Sequence, residues 1–272
     1  MGDYIHGYSA EEQERLTLMQ RLVNEAELRV LDLLGAQRIL DVGAGLGQMS
    51  RALARAAGPS ARVVGIERDP RQIAEAERQA ASAGEAGLVE LRPGAAESLP
   101  LAPAEWGTFD LAHARFLLEH VRDPLAVVKQ MVAAVRPGGR IALLDDDHDM
   151  LRLWPDPAPS LLRAWDVYWR SYARVGCDPI VGRRLPALLH AAGAPAVRVT
   201  TVFYGACSGM EIFEPVVQNL RGVLAGSQEG LAEAGLLSRE QMSDALASLD
   251  RWRADPGASV WYSLPFAEGR RL

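Results

Sequence analysis

Five short apolar runs, most of them followed by a segment with helical spacing, do most to limit what this chain can fold into. They are RILDV (38–42), RVVGI (62–66), LVELR (88–92), FDLAHA (109–114) and RIALLD (140–145), with helical segments at about 46–57, 70–83 and 123–135. Strands that are apolar on both faces and alternate with amphipathic helices form a parallel sheet covered on both sides. Right-handed crossovers make such a sheet doubly wound and place ligands at the carboxyl ends of its strands. The expected fold is therefore α/β and Rossmann-like.

The flanks read differently. Residues 10–34 have helical spacing behind Ser9, with Glu12 three positions on as in a capping box. Beyond residue 148 the strand–helix rhythm breaks at WPDPAPS (154–160). A helix over 160–175 carries Trp165, Tyr168, Trp169 and Tyr172, and 181–193 reads as another. AVRVTTVFYGA (196–206) is a strand, two or more helices fill 209–253, and ASVWYSLPFAEG (258–269) closes with strand character.

The first run continues as RILDVGAGLGQMSRAL (38–53), a strand, a glycine turn and a helix. The glycines Gly43, Gly45 and Gly47 are spaced GxGxG, and Gln48 stands where a dinucleotide loop has its third glycine. Asp41 lies two residues before them. A carboxylate is repelled by a pyrophosphate and attracted by an ammonium or sulfonium. The loop thus suits a cationic, nucleotide-like ligand better than NAD, and S-adenosylmethionine has that combination of groups. Glu67, 20 residues after Gly47, ends the second run where an acid accepts the ribose hydroxyl protons.

Composition excludes several classes. The chain has 272 residues and a formal net charge of −6, which disfavours a nucleic-acid partner held through its phosphates. No window approaches the ~18 apolar residues of a membrane-spanning helix, and the polar, acidic start MGDYIHGYSAEEQERL points to a cytoplasmic protein without a leader. Cys177 and Cys207 have neither metal-site nor disulfide spacing and read as unpaired thiols.

Taken in order, LDVGAGLG (40–47), VGIERD (64–69), AAESLP (95–100), FDLAHARFLLEHVRDP (109–124) and RPGGRI (136–141) resemble the motifs of class I S-adenosylmethionine-dependent methyltransferases, UbiE-like small-molecule group. The resemblance covers about residues 35–145. It implies a seven-stranded, mostly parallel sheet with helical lid and cap insertions. The division that follows is an N-terminal lid (1–34), a cofactor-binding core (35–147), and the remaining sheet with substrate-cap insertions at about 148–177 and 207–255.

The resemblance further implies that Gly43, Ala44, Gly45 and Gly47 lie against the methionine part of S-adenosyl-L-methionine, with Asp41 holding its amino group directly or through water. Glu67 would take the ribose and Arg68 would flank the adenine. The family's Asp for the adenine amino group is replaced by Ala95, leaving adenine to the backbone of Ala95 and Ala96 or to Glu97. His113, Ala114 and Arg115 would line the cofactor from the fourth strand, and Tyr8 or Arg15 would reach its carboxylate from the lid.

Methyl transfer needs an aligned acceptor and, for a hydroxyl, removal of a proton. His120, in LEHVRDP, is the candidate base, with Asp145 orienting it or the acceptor; shaping the turn is the other reading of His120. DDDHD (145–149) has the chemistry for Mg²⁺ but also that of solvated turn charges, and no metal is assigned. The aromatic stripe of 165–172 either packs on the sheet or lines an acceptor pocket. The expected activity is methyl transfer to a small aromatic or polycyclic metabolite, oxygen favoured over nitrogen or carbon, by a monomer or homodimer. The alternatives are a non-catalytic cofactor-binding regulatory module, for which Ala95 leaves room, and an NAD-linked oxidoreductase, which Asp41 and Gln48 disfavour.

Overall fold

The computed structural model describes residues 23–272. Its large sheet has seven strands in the order β3-β2-β1-β4-β5-β10-β7. These are β1 (Arg38–Val42), β2 (Arg62–Glu67), β3 (Val89–Pro93), β4 (Phe109–Arg115), β5 (Val135–Leu144), β7 (Ala196–Phe203) and β10 (Ser263–Arg270). Strands β1 to β5 run parallel, and β10 pairs antiparallel with β5. This is the mostly parallel, doubly wound sheet that the alternation of apolar runs predicts.

The central strands are buried on both faces because helices cover both. Leu40, Val42, Ile66, Ala112, Ala114, Ile141 and Leu143 join Val127, Val128 and Met131 of the helix Pro124–Ala134 in one apolar core. Each fully buried Leu or Ile of this kind contributes about 2 kcal/mol. Two helix starts repeat one device, the tripeptide Arg-Asp-Pro. Asp69 accepts the Arg71 N–H at 2.8 Å ahead of the helix Pro70–Ser82, and Asp123 accepts the Ala126 N–H at 2.9 Å ahead of Pro124–Ala134. In both, the proline sits where no N–H is needed.

Several elements differ from the expected ones. The helix after β1 begins at Gln48 rather than 46, since Gly47 (φ 66°) is left-handed and ends the loop. The strand expected over 196–206 splits into β7 and the two-residue β8 (Ala206–Cys207), and that over 258–269 into β9 (Ser259–Trp261) and β10. With β6 (Arg152–Trp154) the short pieces form a second sheet, β6-β9-β8.

The chain forms two compact units. One contains residues 24–146, 180–202 and 265–272, and so holds most of the large sheet. The other includes 147–179 and 203–264. In the second unit the helices Pro159–Ser171, Phe213–Glu233 and Arg239–Arg253 pack on one another. Tyr168 and Tyr172, each 1% exposed, share a hydrogen bond of 2.8 Å between their hydroxyls and pack with Trp165 around the His148 ring. Half of the aromatic stripe is thus core. Cys177 is half-buried and Cys207 exposed, and neither forms a disulfide. Among the described residues no helix is long and apolar enough to cross a membrane.

Candidate active site

The predicted cofactor residues of the first unit gather at the carboxyl ends of β1, β2, β3 and β4. All three loop glycines have positive φ: 78° at Gly43, 53° at Gly45 and 66° at Gly47. Gly43 and Ala44 both donate their N–H to the Ile66 carbonyl at 2.9 Å, which lays the loop over the end of β2. A Cβ on Gly43 would stand 3.0 Å from a Leu117 methyl. The left-handed backbone favours glycine here, and a Cβ would press on the Leu117 side chain.

Glu67 closes the loop from the other side. Its Oε2 accepts the Gly45 N–H and its Oε1 the Asp69 N–H, each at 2.9 Å. The acid predicted for the ribose therefore also fixes the loop. Arg68 next to it is exposed, as are Ala95 and Glu97, whereas Ala96 is buried. Ala95 is bridged to Ser98 beyond β3, so this turn offers main-chain groups and the Glu97 carboxylate.

Asp41 does not stand open to a ligand. One carboxylate oxygen accepts the Ser50 hydroxyl, and the other lies 2.8 Å from Nδ1 of His113. His113, fully buried, reaches Oε1 of Glu27 through Nε2, also at 2.8 Å. Arg115 donates to Oε2 of Glu27 and to Oδ1 of Asn24, each at 2.7 Å. Burial alone would lower the His113 pKa, but the Glu27 charge and the bonds to Asp41 and Glu27 outweigh it and raise it to about 9. Burial likewise opposes the charges of Asp41 and Glu27. For Asp41, the His113 hydrogen bond and charge win; for Glu27, Arg115 and His113 do; both carboxyls are held below their ordinary values. His113, expected to line the cofactor from the end of the fourth strand, has its ring enclosed between the two acids Asp41 and Glu27.

The candidate base lies beyond a strained turn. Phe116 has φ 50°, left-handed for a residue other than glycine, a conformation that clusters at functional sites. The 3-10 turn Leu118–His120 follows, and His120 Nε2 lies 3.4 Å from Oε1 of the buried Glu119. Asp145 holds this turn rather than the ring. Its Oδ2 accepts the N–H groups of Leu117 (3.1 Å) and Leu118 (2.7 Å), and its Oδ1 that of Asp146 (3.0 Å). Burial, then the Asp146 charge, raises its pKa to about 7 despite these bonds. The acid beside the imidazole is Glu119.

Sequence reasoning missed Glu27, Asn24, Ser50 and Glu119. One signal for Glu27 was present: it occupies the middle of the buried stripe Val23, Glu27, Leu31, where an acid is out of place unless paired. Tyr8, Arg15 and the Ser9–Glu12 capping box lie outside the described residues.

A glycine loop bonded to an acid at the end of the second strand, on a sheet with a reversed strand beside β5, defines the class I S-adenosylmethionine-dependent methyltransferase fold. The chain belongs to the methyltransferase-domain family, whose model matches residues 11–199. It is 38% identical over 108 residues to ubiquinone biosynthesis O-methyltransferase of Ralstonia nicotianae, covering 40% of this chain and 42% of that one. It is 32% identical over 214 residues to an uncharacterized 37.1 kDa protein of Streptomyces fradiae, covering 75% and 58%. The chain thus spans about half the length of these relatives. Among solved structures, the cyclase SpnF shares the fold at 22% identity and TM-score 0.55, over 93% of this chain and 81% of that one.

Proposed function

We propose that the protein transfers the methyl group of S-adenosylmethionine to the oxygen of a small aromatic or polycyclic metabolite. The observation that carries this reading is the loop itself: three left-handed glycines between Asp41 and Ser50, with Glu67 bonded to the middle one. The residues fit the cofactor. Gly45, with no atom within 4 Å of where a Cβ would stand, leaves space for it, Glu67 retains lone pairs for the ribose hydroxyls, and the turn after β3 offers its backbone and Glu97 to the adenine. When bound, S-adenosylmethionine supplies an electrophilic methyl group.

His120 removes the acceptor's proton in this reaction. The Glu119 carboxylate at 3.4 Å orients the ring and stabilises the imidazolium that results. Asp145, by accepting both Leu117 and Leu118 N–H groups, fixes the turn that presents the ring. An oxygen acceptor is favoured because a His–carboxylate pair matches the deprotonation of a phenol. The name of the Ralstonia relative, an O-methyltransferase, supports the same choice.

The structural neighbour SpnF is a cyclase, and its likeness bears on the fold alone, since a fold does not fix its chemistry. Incubation with methyl-labelled S-adenosylmethionine and a panel of phenolic and polycyclic hydroxyl compounds tests the reading. The expected outcome is acceptor-dependent S-adenosylhomocysteine and label in an ether methyl. Label on nitrogen or carbon would overturn the oxygen assignment.

A further inference from the structure

Four side chains from four elements form one continuous ladder: Glu27, His113, Asp41 and Ser50. Glu27 belongs to the helical segment 23–30, His113 to β4, Asp41 to β1 and Ser50 to the helix Gln48–Ala57. The links Glu27–His113 and His113–Asp41 are both 2.8 Å, and Ser50 donates to the other Asp41 oxygen. The last two members bracket the glycine loop. Asp41 precedes Gly43 by two residues and Ser50 follows Gly47 by three, so their hydrogen bond ties the two ends of the loop together. Glu27 is not part of the loop and has no assigned role in cofactor binding.

We propose that Glu27 is a positioning residue for the cofactor loop, acting through His113 on Asp41. The proposal rests on the reading of that loop as the S-adenosylmethionine site.

Hydrogen-bond inventory supports it. A neutral imidazole has one N–H and one lone pair, so it can donate to only one of two acids. Only the protonated ring donates to both Asp41 and Glu27, and the raised pKa of His113 agrees. Among the described residues, the charged groups around the ring are few. Glu27 faces it from the helical segment and Asp41 from β1; Arg115, two residues on in β4, binds the far oxygen of Glu27. On its other side β5 places Ala142 in register with it. With Glu27 and Asp41 ionised and Arg115 and His113 protonated, the cluster is neutral. Without Glu27's charge, His113 loses its stronger reason to stay protonated, and Asp41 loses a donor that keeps it aligned with Ser50. The loop is then held at one end less firmly. Coupling of this kind through a packed network is worth a few-fold to about thirtyfold in affinity.

Calorimetric titration of the full chain with S-adenosylhomocysteine tests this, using wild type and Glu27→Gln between about pH 6 and about pH 7.5, below the α-amino range of about 7.7–8.0. Gln keeps the shape and an acceptor for His113. Wild-type affinity should be level across this window. The variant should bind about tenfold more weakly at the upper end than wild type, with affinity falling as pH rises, because His113 now loses its proton within the window. A role confined to folding would leave that pH profile level. Equal affinity and equal profiles in the two proteins would overturn the proposal while leaving the cofactor site intact. Failure of the wild type to bind at all would instead remove the cofactor reading. If Glu27→Gln does not fold, the NMR titration of the His113 ring in wild type decides: a ring still protonated at about pH 8 supports the ladder, and one neutral there overturns it.

Discussion

The Glu67 carboxylate accepts the Gly45 N–H at 2.9 Å, joining the end of β2 to the middle of the glycine loop. The same side chain is the candidate ribose ligand, so loop shape and cofactor binding depend on one acid. Replacement by Gln keeps a single carbonyl acceptor and removes the charge that strengthens bonds to hydroxyl donors. Glu67→Gln should weaken S-adenosylmethionine binding by about tenfold or more, an effect of about 1.4 kcal/mol. Calorimetry checks this, and an unchanged Kd would mean that the ribose is held elsewhere.

Gly43 tests the loop's conformation. Gly43→Ala must place a side chain at φ 78° with its Cβ 3.0 Å from Leu117. The left-handed conformation alone costs about 1–2 kcal/mol. Urea unfolding should show a loss of at least that size, with weaker cofactor binding in parallel. A variant as stable as wild type would contradict the described backbone.

His120→Ala separates the base from the turn. Loss of a general base lowers the rate about 100-fold or more, whereas loss of a turn-shaping side chain does not target the chemical step. Steady-state kinetics with a hydroxyl acceptor should show a fall in kcat of that order, with the cofactor Kd near that of wild type. A kcat within twofold of wild type would return His120 to a structural role.

The protonated His113 makes a signed prediction for stability. Its folded-state pKa of about 9 lies above its ordinary value of 6.5, so the folded protein holds the proton more tightly than the unfolded chain does. Its contribution is complete below about pH 6.5 and is lost as pH rises through about 9, amounting to about 3 kcal/mol. Asp41 and Glu27, whose values are lowered, act in the acidic range and do not offset this. Urea midpoints measured across that range should fall; a level series would contradict a doubly bonded imidazolium.

The sheet is legible in the sequence because parallel strands buried on both faces are apolar throughout, as RILDV and FDLAHA are. The glycine loop and Glu67 are legible because their spacing is local. The ladder is not: Glu27 and His113 are 86 residues apart, and only the packing of the segment 23–30 on β4 brings them together. Asp41 stands out for its charge, but its partner is an internal imidazole, which no spacing reveals. Asp145 falls beside the right turn, yet its task of holding backbone N–H groups carries no sequence signal. The short strands β6, β8 and β9, of two or three residues each, fall below the length at which alternation can be recognised.

Everything proposed for the site depends on the loop Gly43–Gly47 and Glu67 holding S-adenosylmethionine. Parallel calorimetric titrations of the purified chain with S-adenosylmethionine and with NADH decide whether they do. Saturable binding of S-adenosylmethionine at one site per chain, with no heat from NADH, is the expected result. Tight NADH binding with silence towards S-adenosylmethionine would contradict it.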